Sequence, residues 1–264
     1  MTQHVLVYGC GSMARALTLG LKAANPEWKF TCWTPSGTKA ESLAKELNGT
    51  WLKDLAEIPQ DLTAVFLGFK PQMLAQASAG LQENIKTKIP FVSMLAAITL
   101  TELESHFSGR PLLRLMPNLA VSRRQGVVLW EHQGLGPSEL STWEKALATL
   151  GLAPHVPEHL IDVYTIHAAS SPAFVYQWLK DAGEFVSAHG GDPQEAVNIL
   201  AQALRGTLEA GPFQVNELDE KIKSVASKGG VTQAVLDEWK TSLPQYIKQG
   251  FEAGLNRLKQ MKKS

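Results

Sequence analysis

A glycine-rich turn that directly follows an apolar run near the start of the chain limits the possible folds. The run from His4 to Tyr8 leads into Gly9-Cys10-Gly11-Ser12-Met13-Ala14, and an apolar-periodic stretch then continues to Ala24. A strand that ends in Gly-x-Gly lets the backbone bend sharply, and a pyrophosphate can then approach the N–H groups at the helix start. Ala14 replaces the third glycine, where the pattern accepts either residue. The segment therefore favours a dinucleotide-binding turn over a βα turn without a ligand.

The rest of the chain predicts two parts of different character. Strand-like and helix-like segments alternate up to about residue 157, and such alternation is typical of a parallel sheet covered on both faces. No convincing strand follows, so we predict an N-terminal Rossmann-like doubly wound α/β domain over 1–157 and an all-α domain over 158–264. The predicted strands are 4–8, 29–33, 64–68, 91–95, 112–116 and 127–130, and the predicted helices are 13–24, 39–47, 72–81, 137–150, 160–189, 193–210, 232–240 and 243–261.

Composition excludes several classes of function. The 264 residues carry a net charge of +0, so the chain has no electrostatic footprint for nucleic acid or an anionic membrane. No apolar run approaches the length of a membrane span, and a strand that begins near residue 4 leaves no room for a signal peptide. Two cysteines, Cys10 and Cys32, cannot form a disulfide framework. We therefore expect a cytoplasmic protein.

The end of the second predicted strand indicates which cofactor is preferred. Chains that bind NAD usually carry an acidic residue about 20 residues after the glycines, where it holds the ribose hydroxyls. Residues 33–39 here read WTPSGTK, with no carboxylate, and Thr34, Ser36, Thr38 and Lys39 can donate hydrogen bonds to a 2′-phosphate. The segment predicts NADPH rather than NADH, with an ordinary Ser/Gly loop as the alternative.

Three further segments lie where ligands gather or where a helix begins. Phe69-Lys70-Pro71-Gln72 and Arg114-Leu115-Met116-Pro117-Asn118 follow or close predicted strands, so Lys70 can reach a ribose or phosphate oxygen and Asn118 can bind a carboxamide. Ser227-Lys228-Gly229-Gly230-Val231-Thr232 opens a helix whose exposed N–H groups suit a carboxylate. Each has an ordinary alternative: a cap, a turn residue or a solvated lysine in the first two, and a Ser or Thr helix cap in the third.

The spacing of the histidines near the domain boundary does not predict a metal site. His155, His159 and His167 cluster around the domain boundary, but their spacing matches no standard zinc pattern and no cysteine lies nearby. We expect structural or surface roles for them, and no metal.

Taken in order, five of these motifs resemble the pyrroline-5-carboxylate reductase family. They are the segments 9–14, 69–72, 114–118 and 227–232 together with Ser170-Ser171-Pro172-Ala173-Phe174, and the likeness spans nearly the whole chain. The resemblance implies a Rossmann domain for NADPH, a helical domain that dimerises by interlocking helices, and an active site between the two. It implies hydride transfer to the imine carbon of 1-pyrroline-5-carboxylate, which gives L-proline in amino-acid biosynthesis.

The resemblance also assigns roles to individual residues. Glycines, amides and one hydroxyl would orient the reactants, which suits a substrate that enters as a protonated iminium and needs no strong acid. On the cofactor side, the pyrophosphate is assigned to Gly9, Gly11, Ser12 and Met13, the 2′-phosphate to Thr34 and Ser36, and the nicotinamide ribose to Lys70, Pro71 and Asn118. On the substrate side, the carboxylate is assigned to Ser227, Gly229 and Gly230, and Thr232 donates to the amine.

The chain departs from the family pattern on the substrate side. The family reads Met-Pro-Asn-Thr-Pro, whereas Leu119 and Ala120 follow Asn118 here. Ala169 and Ser171 replace glycines, and Val231 replaces a threonine. Two alternatives therefore stay open. One is a related NADP-dependent oxidoreductase acting on another imine or a hydroxy acid, although no Gly-x-x-x-Lys pattern after Asn118 supports the hydroxy-acid version. The other is a degenerate paralogue that binds NADPH without catalysis.

The helical half predicts self-association. Apolar residues recur at helical spacing in two runs, and roughly a hundred residues of helix cannot readily bury that much apolar surface alone. A symmetric homodimer would cover it. The two runs are Phe174, Trp178, Ala182, Phe185 and Val186, and Leu200, Ala203, Leu204, Thr207 and Leu208.

Overall fold

The computed structural model describes residues 2–262, and these divide into two compact units. The first unit contains the chain up to Ser170 together with the residues from Leu255 onwards, and the second contains Ser171–Gly254. No helix among residues 2–262 is both long enough and apolar enough to cross a membrane.

The first unit is built on an eight-stranded sheet. Its order is β3-β2-β1-β4-β5-β6-β7-β8, and every neighbouring pair is parallel except the antiparallel pair β6 and β7. The strands are β1 (His4–Tyr8), β2 (Lys29–Trp33), β3 (Thr50–Trp51), β4 (Ala64–Leu67), β5 (Phe91–Ser93), β6 (Leu112–Pro117), β7 (Gly126–Gln133) and β8 (Gly151–Leu152). The chain order reverses between β1 and β4, which is where doubly wound sheets bind their ligands.

Helices cover both faces of this sheet. Alternation along β1 explains the two layers: Val5 and Val7 point into one apolar core, and Leu6 and Tyr8 point into the other. A third, smaller cluster packs beside β6 and β7. The helices of the first unit are α1 (Ser12–Ala24), α2 (Thr38–Leu47), α3 (Leu74–Asn84), α4 (Leu100–His106), α5 (Pro137–Ala148) and α6 (Glu158–Ala168), and short 3₁₀ turns span Leu55–Glu57, Pro71–Met73 and Leu119–Arg123.

The second unit is entirely helical among its described residues. It contains α7 (Ser171–Ala188), α8 (Pro193–Glu209), α9 (Leu218–Val225) and most of α10 (Val231–Met261), with a 3₁₀ turn at Val215–Glu217. Within the single chain its large apolar side chains are widely exposed: Phe185 and Leu208 each show 67% of their surface to solvent. This unit therefore carries apolar faces that the chain alone does not cover.

The structure confirms the predicted fold class and corrects three of the predicted helices. The predicted helix 160–189 is two helices, α6 and α7, because Pro172 occupies the first turn of α7, where its missing N–H is not needed. The predicted helices 232–240 and 243–261 are one helix, α10, with Pro244 inside it. A proline removes only one backbone donor, and the long helical segments on either side continue through it. The sequence also missed β3, β8, α4 and α9, which are short.

The domain boundary after residue 157 stays a prediction. The compact units divide later, after Ser170, since α6 packs on β6 and β7 and so belongs with the sheet.

Candidate functional site

The glycine turn between β1 and α1 is shaped by a close backbone approach. Gly9 has φ +96°, and a Cβ at this position would lie 2.6 Å from the carbonyl carbon of Gly68 at the end of β4. A Cβ on Gly68 would in turn lie 2.4 Å from the Gly9 carbonyl oxygen and 2.8 Å from the Ala14 Cβ. The N–H of Gly9 donates to the carbonyl of Trp33, at 2.9 Å. Only small residues fit here, so the ends of β1 and β4 can meet at the reversal point of the sheet.

The first turn of α1 presents backbone donors without a capping side chain. Gly11 precedes the helix in an extended conformation, with φ −75° and ψ 176°. In the described chain no side chain caps this end, and the first turn holds no acidic residue. Ser12 is exposed and Met13 half-buried. The positive end of the helix dipole and its free N–H groups therefore suit an anionic phosphate.

Two buried thiols pack beside the glycine turn. Cys10 and Cys32 are both free, and the Cys10 thiol donates to the carbonyls of Val7 and Trp33, each at 3.8 Å. The neighbouring Cys10 thiol and burial raise the pKa of the Cys32 thiol. Cys32 therefore stays protonated at neutral pH, which suits a packing role.

The segment after β2 offers a buried hydroxyl without a partner. The Oγ1 of Thr34 is buried and forms no hydrogen bond with any residue in the described range. Its backbone carbonyl accepts from the N–H of Gly37 at 3.0 Å, which closes the loop before α2, and Ser36 lies exposed in that loop. Unpartnered buried hydroxyls are costly and often await a ligand. Together with the glycine turn, this loop fits a dinucleotide.

The segment after β4 follows the strand that pairs with β1. Lys70 is exposed, and its carbonyl accepts from the N–H of Met73 at 2.9 Å, so Pro71 begins a 3₁₀ turn directly after it. The carboxyl ends of these parallel strands share one edge. Lys70 and Pro71 therefore lie along the same sheet edge as the glycine turn.

Asn118, at the end of β6, is already engaged by the protein. It is 7% exposed, and its amide donates to the carbonyl of Ala168 at 2.9 Å. Its side-chain oxygen accepts from the backbone N–H groups of Ala120, at 3.2 Å, and Val127, at 3.3 Å. These bonds cap the following 3₁₀ turn and hold the end of α6. A contact from Asn118 to a nicotinamide ribose stays a prediction.

The second unit holds the predicted substrate turn as one local structure. The N–H of Gly230 donates to the carbonyl of Ser227 at 3.0 Å, and α10 begins at the next residue. Gly229 has φ +72°, and a Cβ on Gly230 would lie 2.5 Å from the Ser227 hydroxyl. Thr232 is exposed in the first turn of α10, which contains no acidic residue. The four predicted residues therefore surround the exposed N–H groups of this helix start.

The sequence missed a buried charge network beside the sheet. Arg114 is fully buried and donates to Glu158 at 2.7 Å and to Asp162 at 3.0 Å, while Lys262 donates to Asp162 at 2.5 Å. Burial raises the pKa of the Asp162 carboxyl, but the hydrogen bonds from Lys262 and Arg114 outweigh it, so the net pKa is lowered. Arg114 therefore fastens α6 and the chain end to β6, and it serves structure within the 114–118 motif.

Comparison with family models assigns both parts of the chain. Residues 4–97 match the family described as NADP oxidoreductase coenzyme F420-dependent, and residues 158–261 match pyrroline-5-carboxylate reductase dimerisation. The fold and the glycine turn thus define an oxidoreductase that uses a nicotinamide cofactor. Within that class, the chain belongs to the pyrroline-5-carboxylate reductase family. The match to a dimerisation domain supports the predicted self-association.

Known proteins agree with this placement. The chain is 26% identical to pyrroline-5-carboxylate reductase 2 of Bacillus subtilis over 235 residues, which cover 86% of this chain and 84% of the relative. A 1-pyrroline-5-carboxylate reductase structure from Streptococcus pyogenes superposes with a TM-score of 0.84 at 22% identity, covering 98% of this chain and 99% of that one. A Plasmodium falciparum pyrroline carboxylate reductase with NADP bound gives 0.83 at 17% identity, covering 98% of both chains. These two structures share the fold.

Proposed function

We propose that this protein reduces 1-pyrroline-5-carboxylate to L-proline with NADPH. The observation that carries the proposal is the pairing, in one chain, of an uncapped glycine turn on a doubly wound sheet with a Gly-Gly helix start in a pyrroline-5-carboxylate reductase dimerisation domain. The relatives named above carry the same activity in their names.

The residues of the first unit would bind and orient the cofactor. Backbone N–H groups of Gly11, Ser12 and Met13 would hold the pyrophosphate, because that helix end has no cap of its own. Thr34 and Ser36 would donate to the 2′-phosphate, and this supports NADPH over NADH, since a buried hydroxyl without a partner gains most from a charged acceptor. Lys70, Pro71 and Asn118 are assigned to the nicotinamide ribose.

The residues of the second unit would bind the substrate. When bound, NADPH supplies the hydride. Gly229 would direct its N–H at the carboxylate, while Gly230, whose own N–H donates to the Ser227 carbonyl, would hold the turn in the shape that binds it. Thr232 would accept a hydrogen bond from the iminium N–H through its hydroxyl oxygen, which keeps the imine carbon oriented for attack, and it would donate to the amine nitrogen once hydride arrival gives that nitrogen a lone pair. A substrate that enters as an iminium already carries the proton, and reduction neutralises its positive charge at the nitrogen. These groups therefore need only to orient and to exclude misaligned binding.

Substitution of Thr232 tests this proposal. Thr232→Ala removes the hydroxyl, and we expect kcat with pyrroline-5-carboxylate to fall by roughly 10–100-fold while the Kd for NADPH is unchanged. Thr241→Ala, which also alters an exposed threonine of α10, is the matched control and should keep the rate of the original protein. Absence of turnover in the original protein would refute the reductase function. Full turnover in Thr232→Ala would refute only the role of that hydroxyl.

One observation favours a second candidate substrate class. Leu119 is 56% exposed and Val231 is 85% exposed, so two apolar side chains are available where the family carries a threonine. Such side chains favour a larger or more apolar imine. Oxidation of NADPH should therefore be followed with the six-membered homologue as well, and a higher kcat/KM for that homologue would favour the second candidate.

Two further statements belong to the proposal. We propose a symmetric homodimer, because the exposed apolar faces of the helical unit belong to a matched dimerisation domain. We also propose a cytoplasmic location, which the free thiols of Cys10 and Cys32 support.

A further inference from the structure

A group of metal-ligating side chains lies at the far end of β7, outside the cofactor turn. Glu131 and His132 come from the end of β7, and His155 comes from the segment between β8 and α6. One donor atom from each lies within 4.8 Å of the donors of the other two. The three residues are brought together by the sheet, since His155 is 23 residues from His132 in the chain.

Rigid neighbours hold the His155 side chain in place. The Trp130 ring is 4% exposed, and its indole N–H donates to the carbonyl of Ala153 at 3.0 Å. The His155 ring stacks on it with a centroid distance of 4.6 Å and an interplanar angle of 30°. The N–H of Val156 donates to the Trp130 carbonyl at 2.9 Å, so the backbone on both sides of His155 is anchored to β7. A preformed arrangement of this kind lowers the entropy lost on binding.

One ring nitrogen in this group has no hydrogen-bond partner among the described residues. Glu131 Oε1 lies 2.6 Å from His155 Nε2 and accepts from the backbone N–H of His132 at 2.8 Å. The Nδ1 of His132 is buried without a hydrogen-bond partner among residues 2–262. Arg114, the cross-strand neighbour of Glu131, donates from Nη1 to Glu158 and from Nη2 to Asp162. A buried imidazole nitrogen without a partner is costly, so it favours a ligand that accepts its lone pair.

We propose that Glu131, His132 and His155 bind one Zn²⁺ ion, with water as a fourth ligand. Two imidazoles and one carboxylate are a ligand set that Zn²⁺ uses widely. Bonds of about 2.0–2.1 Å in a tetrahedral site place the donors about 3.3 Å apart. The ring centroids of His132 and His155 lie 5.9 Å apart, so small side-chain rotations bring both nitrogens to one ion. The ion would tie β7 to the segment that leads into α6, which carries the two carboxylates bound to Arg114.

Metal titration of the intact protein tests the site. The tag-free protein is stripped with a chelator, and bound Zn²⁺ is measured by equilibrium dialysis while Co²⁺ is followed by its visible absorption. We expect one ion per chain at saturation. His132→Gln and His155→Gln should each raise the Kd at least about tenfold, as expected when one of three protein ligands is lost. His159→Gln, a change at an exposed histidine on α6, should bind like the original protein.

Two results would overturn the proposal. One is no saturable Zn²⁺ binding by the original protein, and the other is binding that both cluster variants retain at full affinity. If a variant does not fold, proton NMR of the original protein with Co²⁺ decides the question: the histidine ring signals most strongly shifted should be those of His132 and His155. Shifts centred on other histidines would refute the site. None of these measurements depends on turnover.

Discussion

Two glycines of the same turn should respond to alanine in opposite ways. Gly9 has φ +96°, where an L-residue costs about 1–2 kcal/mol, and its Cβ would lie 2.6 Å from the Gly68 carbonyl carbon. Carbon atoms pack at roughly 3.5–4.0 Å, so the backbone must shift by about 1 Å, and such overpacking costs about 1–3 kcal/mol. Gly9→Ala should therefore lower the free energy of unfolding by about 2–5 kcal/mol, and the melting temperature by roughly 4–20 °C.

Gly11→Ala is the matched comparison. Gly11 has φ −75°, and its Cβ would lie at an ordinary distance, 3.6 Å, from the Gly68 carbonyl oxygen. The melting temperature should be unchanged or slightly raised. The added methyl would lie where a pyrophosphate approaches the main chain, so the Kd for NADPH should rise on the order of tenfold. Circular dichroism melting and NADPH fluorescence titration measure the two effects. Equal loss of stability in both variants, or none in Gly9→Ala, would refute the steric argument.

Three more predictions follow from the same structure. Thr34→Val should raise the Kd for NADPH about tenfold and leave that for NADH nearly unchanged, since its buried hydroxyl would serve only the 2′-phosphate; equal effects on both cofactors in parallel titrations would contradict this. Asp162→Asn should cost about 1–2 kcal/mol at neutral pH. Because folding lowers the pKa of Asp162, the carboxylate stabilises the folded state above about pH 4, and this stabilisation is lost as the pH falls. The denaturant midpoints of Asp162→Asn and of the original protein should therefore converge in acid. A difference between the midpoints that stays constant with pH would refute this prediction. Phe185→Glu, at a ring that is 67% exposed within the chain, should shift the light-scattering mass from dimer to monomer; an unchanged dimer would place the interface elsewhere.

The sheet and its order of elements were largely predictable from the sequence. β1 and β2 were predicted with the bounds that the structure gives, because each is a short apolar run bounded by glycine or proline signals. The errors fall where local signals conflict with context. The sequence predicted a break between residues 240 and 243 that α10 does not have, and the two-residue strands β3 and β8 are too short to carry a period.

Parts of the candidate site were predictable, because a phosphate turn depends on residues close together in the chain. Gly9 and Gly11 identify such a turn through the conformations that glycine alone permits. The buried state of the Thr34 hydroxyl and the internal bonds of Asn118 could not be deduced, since both depend on residues that pack against them from other elements.

The amino-acid sequence therefore determined what is local: the glycine turn, the alternation that builds a doubly wound sheet, and the helix start at Gly229-Gly230. The tertiary structure decided what depends on distant residues. It pairs Arg114 with Glu158 and Asp162, and it places His155 beside Glu131 and His132. The reason is physical: turn and helix preferences act over a few residues, whereas charge pairing and metal-ligand geometry depend on distances that only strand pairing and packing fix.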